Sequence, residues 1–301
     1  MTSPLQGPLR PTLYRFKLGA FEVMTVLDSV AMRENMHATF GGGATPDEVR
    51  NLAIANNISP DKYEHPFVQV LVNTGKQLIL FDTGNGTLGR DIPAMRARLP
   101  DGNLVQLLGS AGYQPADIDI VVLTHGHPDH IGGLYDAGKL VFPNARYVFG
   151  AAEFDFWKRG ENVREFRKGN RELFVKLCVP LADKSSFIKP GEEVVPGIRA
   201  VDAAGHSPGL MAYRIESEGR QLLIWSDTCI HYVMAVQRPD WQIDVDDEKE
   251  KAVASRQRIL AMVAAERMFA IGYHMPFPSV GYVEKMQVGY RWIPAGYQLN
   301  M

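Results

Sequence analysis

An apolar run that opens directly into three histidines and an aspartate constrains this chain more than any other feature. Residues 118–124 read IDIVVLT, and residues 125–130 read His125-Gly126-His127-Pro128-Asp129-His130. The run has the length and β-branched content of a buried strand, so the cluster begins where a strand leaves its sheet. Gly126 and Pro128 shape a tight loop between the polar residues. Gly132 and Gly133 permit close backbone packing at the start of a following helix. The chain holds eight histidines in 301 residues, so three within one hexapeptide is not a random grouping. Neutral imidazole with carboxylate is a donor set for zinc and similar ions. A loop ending in Asp129-His130 can point side chains to both sides of a metal pair.

Four more candidates share one property: each closes an apolar run. His206 ends VDAAGH, Asp227 ends QLLIWSD, His274 ends MFAIGYH and Asp82 ends QLILFD. Strands that finish together put their last residues along one rim, where side chains distant in sequence converge. Taken singly, a histidine after a strand is more often structural, and an Asp-Thr-Gly such as 82–84 is usually a turn. A two-metal site needs more donors than 125–130 supplies, and this raises His206, Asp227 and His274 as candidates.

The remaining pattern predicts two batches of strands, each followed by helices. LYRFKLGAFEVMTVLD (13–28) and FVQVLVNTGKQLILFDTG (67–84) read as hairpins, as does MAYRIESEGRQLLIWSDT (211–228). Residues 196–206 read as a strand into a loop, and 268–274 and 290–299 as late strands. Helices are expected near 46–56, capped by Thr45 with Glu48 three residues on, near 103–111, over much of 150–178 and over 246–266, which is acidic at its start. Residues 29–65 look mixed, with a long connection. Two sheets face to face with helices outside, in one domain spanning 1–301 with 1–12 as a loose lead-in, is the expected arrangement.

A formal net charge of −2 gives no basic surface for nucleic acid or an anionic membrane. No run approaches the ~18 apolar residues that span a bilayer. Cys178 and Cys229 sit in no CxxC pattern and read as two buried thiols in a reducing compartment. The first residues do not read as a signal peptide, so the expected location is cytoplasmic, with a trimmed export signal as the alternative.

THGHPDHIGG (124–133) resembles the HxHxDH signature of the metallo-β-lactamase-fold superfamily. AGHSPG (204–209), WSDT (225–228) and YHMPFP (273–278) resemble its later motifs in order. YRFKLGAFEV (14–23), SDTCIHYVMAVQ (226–237), HMPFPSVGYV (274–283) and GYRWIP (289–294) are similar to the branch that contains methyl parathion hydrolase and related lactonases. The resemblance spans about residues 13–299. It implies an α/β fold built as an αββα four-layer sandwich. It implies that His125, His127 and His206 hold one metal, that Asp129, His130 and His274 hold a second, and that Asp227 bridges them. Asp82 would orient a histidine ligand through its free ring N–H. His127 favours the hydrolytic version over flavodiiron relatives, which tend to carry an acidic residue there.

On that resemblance the expected activity is a dinuclear metallo-hydrolase, most simply a lactonase acting on an acyl-homoserine lactone or similar ester, with organophosphate triesterase activity as an extension. Two divalent ions are implied, zinc first, with manganese, iron or cobalt as alternatives. Asp129 and Asp227 are the expected catalytic carboxylates. Metal binding lowers a water pKa from 15.7 to about 7, so a hydroxide shared by the metals would attack the ester or phosphorus centre. Phe154, Trp157, Phe174, Tyr232 and Phe277 are the candidate pocket residues, suited to a small neutral ester, lactone or phosphotriester. Tyr232 and Tyr273 are candidate donors to a substrate carbonyl, although packing is the simpler reading. His37, His65 and His231 read as structural or surface residues, although His231, four residues past Asp227, could brush the site. The relatives' habit predicts a homodimer. The competing readings are a thioesterase like glyoxalase II, a mononuclear-iron persulfide dioxygenase, and a binding module with a decayed site. None of the seven ligand positions is lost, which disfavours the last.

Overall fold

The computed structural model describes residue 5 and residues 7–301; residues 1–4 and 6 of the expected lead-in lie outside the described residues. The first half of the chain forms one seven-stranded sheet from Leu13–Leu18 (β1), Phe21–Glu34 (β2), Lys62–Asn73 (β3), Leu78–Phe81 (β4), Ile120–Leu123 (β5), Arg146–Gly150 (β6) and Ser185–Ile188 (β7). The second half forms another from Glu193–Val195 (β8), Ile198–Asp202 (β9), Met211–Ser217 (β10), Arg220–Ser226 (β11), Phe269–Gly272 (β12), Val280–Lys285 (β13) and Tyr290–Pro294 (β14). In both sheets the spatial order is the chain order. β4 to β7 run parallel, as do β11 and β12; the other neighbours are antiparallel.

Side-chain alternation builds four layers. In β4, Ile79 and Phe81 face the other sheet, while Leu78 and Leu80 face helices. β5 repeats this with Ile120 and Val122 inward, Val121 and Leu123 outward. In β11, Leu222 and Ile224 enter the layer between the sheets, and Leu223 and Trp225 pack under the helices of the second half. Both faces are covered, so these strands read as unbroken apolar runs rather than alternating ones. The outer layer includes Ala151–Arg159 and Lys168–Leu177 on the first sheet and Lys249–Glu266 on the second. This is the αββα sandwich that the motif resemblance implied.

The expected helix at 46–56 spans Pro46–Ala55, and its Thr45–Glu48 capping box is present. Residues 29–65 are more ordered than expected. β2 continues to Glu34 through an irregularity at Asp28, and β3 begins at Lys62. A carboxylate inside a strand reads as a stop. Here Asp28 is buried and accepts N–H bonds from Asn85 (3.2 Å), Asn103 (2.6 Å) and Leu104 (2.7 Å), tying the strand to the helix at Leu104–Ser110. The strands β6, β7, β8 and β13 had no sequence reading. β7 and β8 are four and three residues long, too short for a period to register. Both cysteines are buried and unpaired. No helix of the described residues is long and apolar enough to cross a membrane.

Leu222 is fully buried between the sheets, away from the strand ends that carry the polar cluster. Leu222→Ala should reduce unfolding free energy by roughly 2–5 kcal/mol in urea titration, with metal content unchanged.

Candidate metal centre

Each strand that the sequence ended in a polar residue ends at the same rim. Asp82 follows β4, His125 follows β5, Asp227 follows β11, and His206 and His274 follow β9 and β12 by a few residues. Two of these corners use a left-handed backbone at a non-glycine residue, Asp82 (φ 61°) and Ser226 (φ 49°), one per sheet. Such positions persist only where surrounding bonds fix them. Thr124 supplies those bonds. Its N–H donates to Asp82 Oδ1 (2.8 Å), and its hydroxyl lies 2.9 Å from Asp82 Oδ2 and 2.8 Å from Ser226 Oγ. One hydroxyl thus joins the corners of the two sheets.

The seven predicted donors form two groups. The first is His125, His127 and His206; the second is Asp129, His130, Asp227 and His274. In the first, His125 Nε2 and His206 Nε2 each lie 3.0 Å from His127 Nδ1. Asp227 Oδ2 lies 3.3 Å from His206 Nε2 and 3.1 Å from His274 Nε2, so this carboxylate stands between the groups. Asp129 Oδ2 lies 3.5 Å from His274 Nε2 and 3.6 Å from His130 Nε2.

Surrounding acceptors fix the ring orientations. His130 Nδ1 donates to Asp82 (2.8 Å), His274 Nδ1 to the Pro66 carbonyl (2.7 Å) and His206 Nδ1 to Asp246 (2.8 Å). Each leaves its Nε2 lone pair facing the cluster. His127 turns the other way, with Nδ1 inward and Nε2 3.4 Å from Asp247. Asp246 is held by buried Arg256 (2.6 Å) and Asp247 by Arg167 (2.8 Å).

The sequence reading missed both carboxylates by assigning 246–266 to a helix with an acidic start. The helix begins at Lys249, which leaves Asp246 and Asp247 in the preceding loop, turned to two histidines of one group. A signal existed: Arg256 interrupts the helix's buried face and needs a counterion there.

Glu153 was also missed. Buried on the helix Ala151–Arg159, it accepts from Gly126 N–H (2.8 Å), Trp157 Nε1 (2.6 Å), Ser207 Oγ (2.5 Å) and Gly209 N–H (2.8 Å). One carboxylate therefore clamps the loop carrying His125 and His127 to the loop carrying His206. Gly126 is required in this clamp: a Cβ there would lie 2.6 Å from Trp157 and 2.7 Å from Phe174.

That contact corrects part of the pocket expectation. Phe154, Trp157 and Phe174 are buried core residues behind the histidine loop, and none lines the cavity beside the cluster. Aromatic residues on a helix gave no sign of which side they faced. Tyr232 and Phe277 do line that cavity, a space of about 410 Å³ shared with Met36, Ile58, Tyr63 and His274. Tyr273 is no free donor, since its hydroxyl donates to the Asp129 carbonyl and accepts from Gln69. His65 stacks on His274 with ring centres 3.7 Å apart, and His37 bonds the Ala44 carbonyl.

The donor set fits divalent cations. Buried His130 Nε2 and Asp227 Oδ1 have no hydrogen-bond partner among the described residues, although they lie 3.5 Å apart. Such orphaned atoms are expensive unless an ion satisfies them. Burial, with neighbouring charged histidines, drives His125 well below the usual histidine range; burial and Arg167 do the same to His127. Those rings are neutral, as ligation requires. At His206 burial opposes charge, but hydrogen bonds to Asp227 and Asp246 outweigh it and push the ring up to about 9. Burial is likewise outweighed at Asp129, mainly by His130 and His274, and at Asp227, mainly by His274 and His130; both carboxyls stay well below their usual range. The acidic group is anionic, and protons take the cation's part when no cation is bound.

The sequence profile of the metallo-beta-lactamase superfamily matches residues 68–261. An N-acyl homoserine lactonase of Bacillus thuringiensis is 26% identical over 196 residues, 60% of this chain. The match covers 66% of that lactonase, so the chain spans just under two thirds of its curated relative. Among solved structures, AidC, a dizinc quorum-quenching lactonase in complex with the product N-hexanoyl-L-homoserine, is 28% identical with a TM-score of 0.84, covering 94% of this chain and 97% of that one. The hydrolase AbOPH of the beta lactamase superfamily shares the fold, with a TM-score of 0.83 at 24% identity and coverage of 95% and 98%.

Two outcomes follow from the geometry. A histidine pKa raised above its unfolded value contributes stability that is full below about 6.5 and lost as pH rises through the folded value. His206, His130 and His274 all shift in that direction. The chelator-treated protein should therefore lose melting temperature between about pH 6.5 and 9, whereas metal-loaded protein should not. Glu153→Gln puts amide hydrogens where four donors converge. In chelator competition, metal affinity should fall about 10- to 100-fold; unchanged affinity would mean the loops hold their places without the clamp.

Proposed function

This chain belongs to the metallo-β-lactamase superfamily, and from that premise we propose that it is a dinuclear metal-dependent hydrolase that opens lactone rings. The observation that carries the reading is the pair of donor groups meeting at Asp227, with buried donor atoms left unpartnered, beside a cavity whose lining mixes apolar side chains with basic ones that are paired to carboxylates. His125, His127 and His206 would hold one ion, Asp129, His130 and His274 the other, and Asp227 would span both, with zinc the first choice for a His/Asp donor set. Two such ions supply Lewis acidity at a carbonyl oxygen and a water nucleophile at neutral pH.

The chain's own residues do the rest. Asp82, Asp246 and the Pro66 carbonyl hold His130, His206 and His274 in one tautomer. Asp227, almost fully buried, keeps its charge inside the cluster. Asp129 has the more exposed carboxylate of the two, with 15% of its side chain accessible, and on this reading it would be the one to take a proton and return it to the departing ring oxygen. Met36, Ile58, Tyr63, Tyr232 and Phe277 keep bulk water from an apolar substrate arm.

The substrate class follows from charge. The cavity's two basic side chains are committed, Arg10 to Glu64 (2.5 Å) and Lys62 to Glu34 (3.4 Å). Among the described residues the lining offers no free cation, which disfavours an anionic glutathione thioester. A neutral lactone suits it, and so does a neutral phosphotriester as the second substrate class. A mononuclear-iron oxygenase would leave the group around Asp129 and His130 without a purpose. The reading takes the chain as a single hydrolase domain working in the cytoplasm, which two buried free thiols suit. It takes the working form as a homodimer, with the fully exposed Leu5 and Leu9 as apolar side chains a second copy would cover.

The test is hydrolysis of N-hexanoyl-homoserine lactone, followed by mass increase on ring opening, with methyl parathion in parallel. Wild-type protein should open the lactone and stop when a chelator is added. His127→Ala should lose both metal and turnover. Turnover that persists in the metal-stripped protein would overturn the reading.

A further inference from the structure

One polar ring on the cavity wall has no part in the cluster. His231 is buried and lines the cavity together with His274. Its Nδ1 accepts the backbone N–H groups of Val233 (3.1 Å) and Met234 (3.2 Å). Two amide hydrogens aimed at one ring nitrogen demand a lone pair there. A neutral imidazole carries one proton, which must then sit on Nε2. A second proton on Nδ1 would oppose both amides, and burial alone pushes the ring down to about 3. The ring cannot turn over freely. It stacks on Tyr232 with centres 4.7 Å apart and meets Phe40 and Tyr63 edge-on at 5.1 and 5.7 Å. Among the described residues nothing accepts from Nε2, and that atom is not among the sealed polar atoms, so it is the ring's polar face toward the cavity.

We propose that His231 Nε2–H is a fixed neutral donor that reads a second carbonyl oxygen of the substrate, an amide or ester oxygen remote from the bond that is cleaved. This rests on the lactonase reading above. The reacting carbonyl must lie against the His/Asp cluster. The ring contacts of His231 are with Phe40, Tyr63 and Tyr232 and with none of the seven donors, so it serves a different part of the ligand. The other polar groups on the lining are the Arg10–Glu64 pair, Lys62, Ser59, the Tyr63 and Tyr232 hydroxyls and His274. A charged guest finds no free counterion among them, whereas an uncharged carbonyl finds this donor. A buried donor left unfilled discriminates strongly against ligands that lack the acceptor. An N-acylated lactone carries a second carbonyl; a simple alkyl lactone does not.

His231→Asn tests this, because the asparagine oxygen can replace Nδ1 as acceptor for Val233 and Met234 while removing the Nε2 donor. The kcat/KM on N-hexanoyl-homoserine lactone should fall about 10- to 100-fold, and that on an alkyl γ-lactone of equal length by less than about 3-fold. Equal losses on both would overturn the assignment. Failure of wild-type protein to open either lactone would instead sink the hydrolase reading. A second readout is independent of turnover: nitrogen NMR of the histidine rings in the metal-free protein. The His231 ring should stay the neutral Nε2–H form down to pH 5, and its Nε2 resonance should move when N-hexanoyl-homoserine lactone, which the metal-free protein leaves intact, is added. A ring that titrates near 6.5, or one that ignores the added compound, contradicts the proposal.

Discussion

The structure depends on a cluster of donor atoms that cannot be content with one another. Three imidazole nitrogens converge within hydrogen-bonding distance, and a buried carboxylate, Asp227, and a partly exposed one, Asp129, stand beside them. Hydrogen bonds among these groups satisfy only some: His130 Nε2 and Asp227 Oδ1 remain without partners. Burying such atoms costs about 1–3 kcal/mol each, a cost that the proposed cations would relieve. Under the proposed function the sandwich holds the cage for those cations. Its parallel strands β4 and β5 in one sheet, and β11 and β12 in the other, finish at one rim and deliver the donors there.

Holding the cage open is the work of residues that would touch no ion. Thr124 locks two left-handed corners, one in each sheet. Asp82, Asp246 and Asp247 and the Pro66 carbonyl set which nitrogen of each ring faces inward. Glu153 draws the two histidine loops of the first group together from behind, against Trp157 and Phe174. The aromatic helix that looked like a substrate wall is a buttress. The cavity itself is built from elsewhere: Met36 and Ile58 from the segment between β2 and β3, Tyr232 from beyond β11, and Phe277 from beyond β12. This division separates the donors and the residues that fix them from those that line the cavity, with Pro66 and His274 belonging to both sets.

The candidate donors were legible because chemistry concentrates them. Three histidines around one aspartate, placed after IDIVVLT, admit few other readings, and the rule that apolar runs end at one rim found His206, Asp227, His274 and Asp82. The supports were not legible, since a carboxylate that orients a ring carries no local signature. Asp246 and Asp247 sat in what read as the acidic start of a helix, and Glu153 sat among aromatics as one more helical glutamate. The strand ending at Asp28 was cut short because a buried, bulged aspartate looks like a boundary, while its true role is to receive three amides from distant loops. His231 read as bland because its meaning lies in two backbone amides that no sequence pattern displays.

The central claim is that seven side chains hold two ions around one shared carboxylate. Anomalous diffraction from crystals of the protein grown with zinc tests it most directly. The account predicts two peaks, one among His125, His127 and His206 and one among Asp129, His130 and His274, with Asp227 reaching both. A single peak, or two peaks that leave Asp227 without a metal contact, would contradict it.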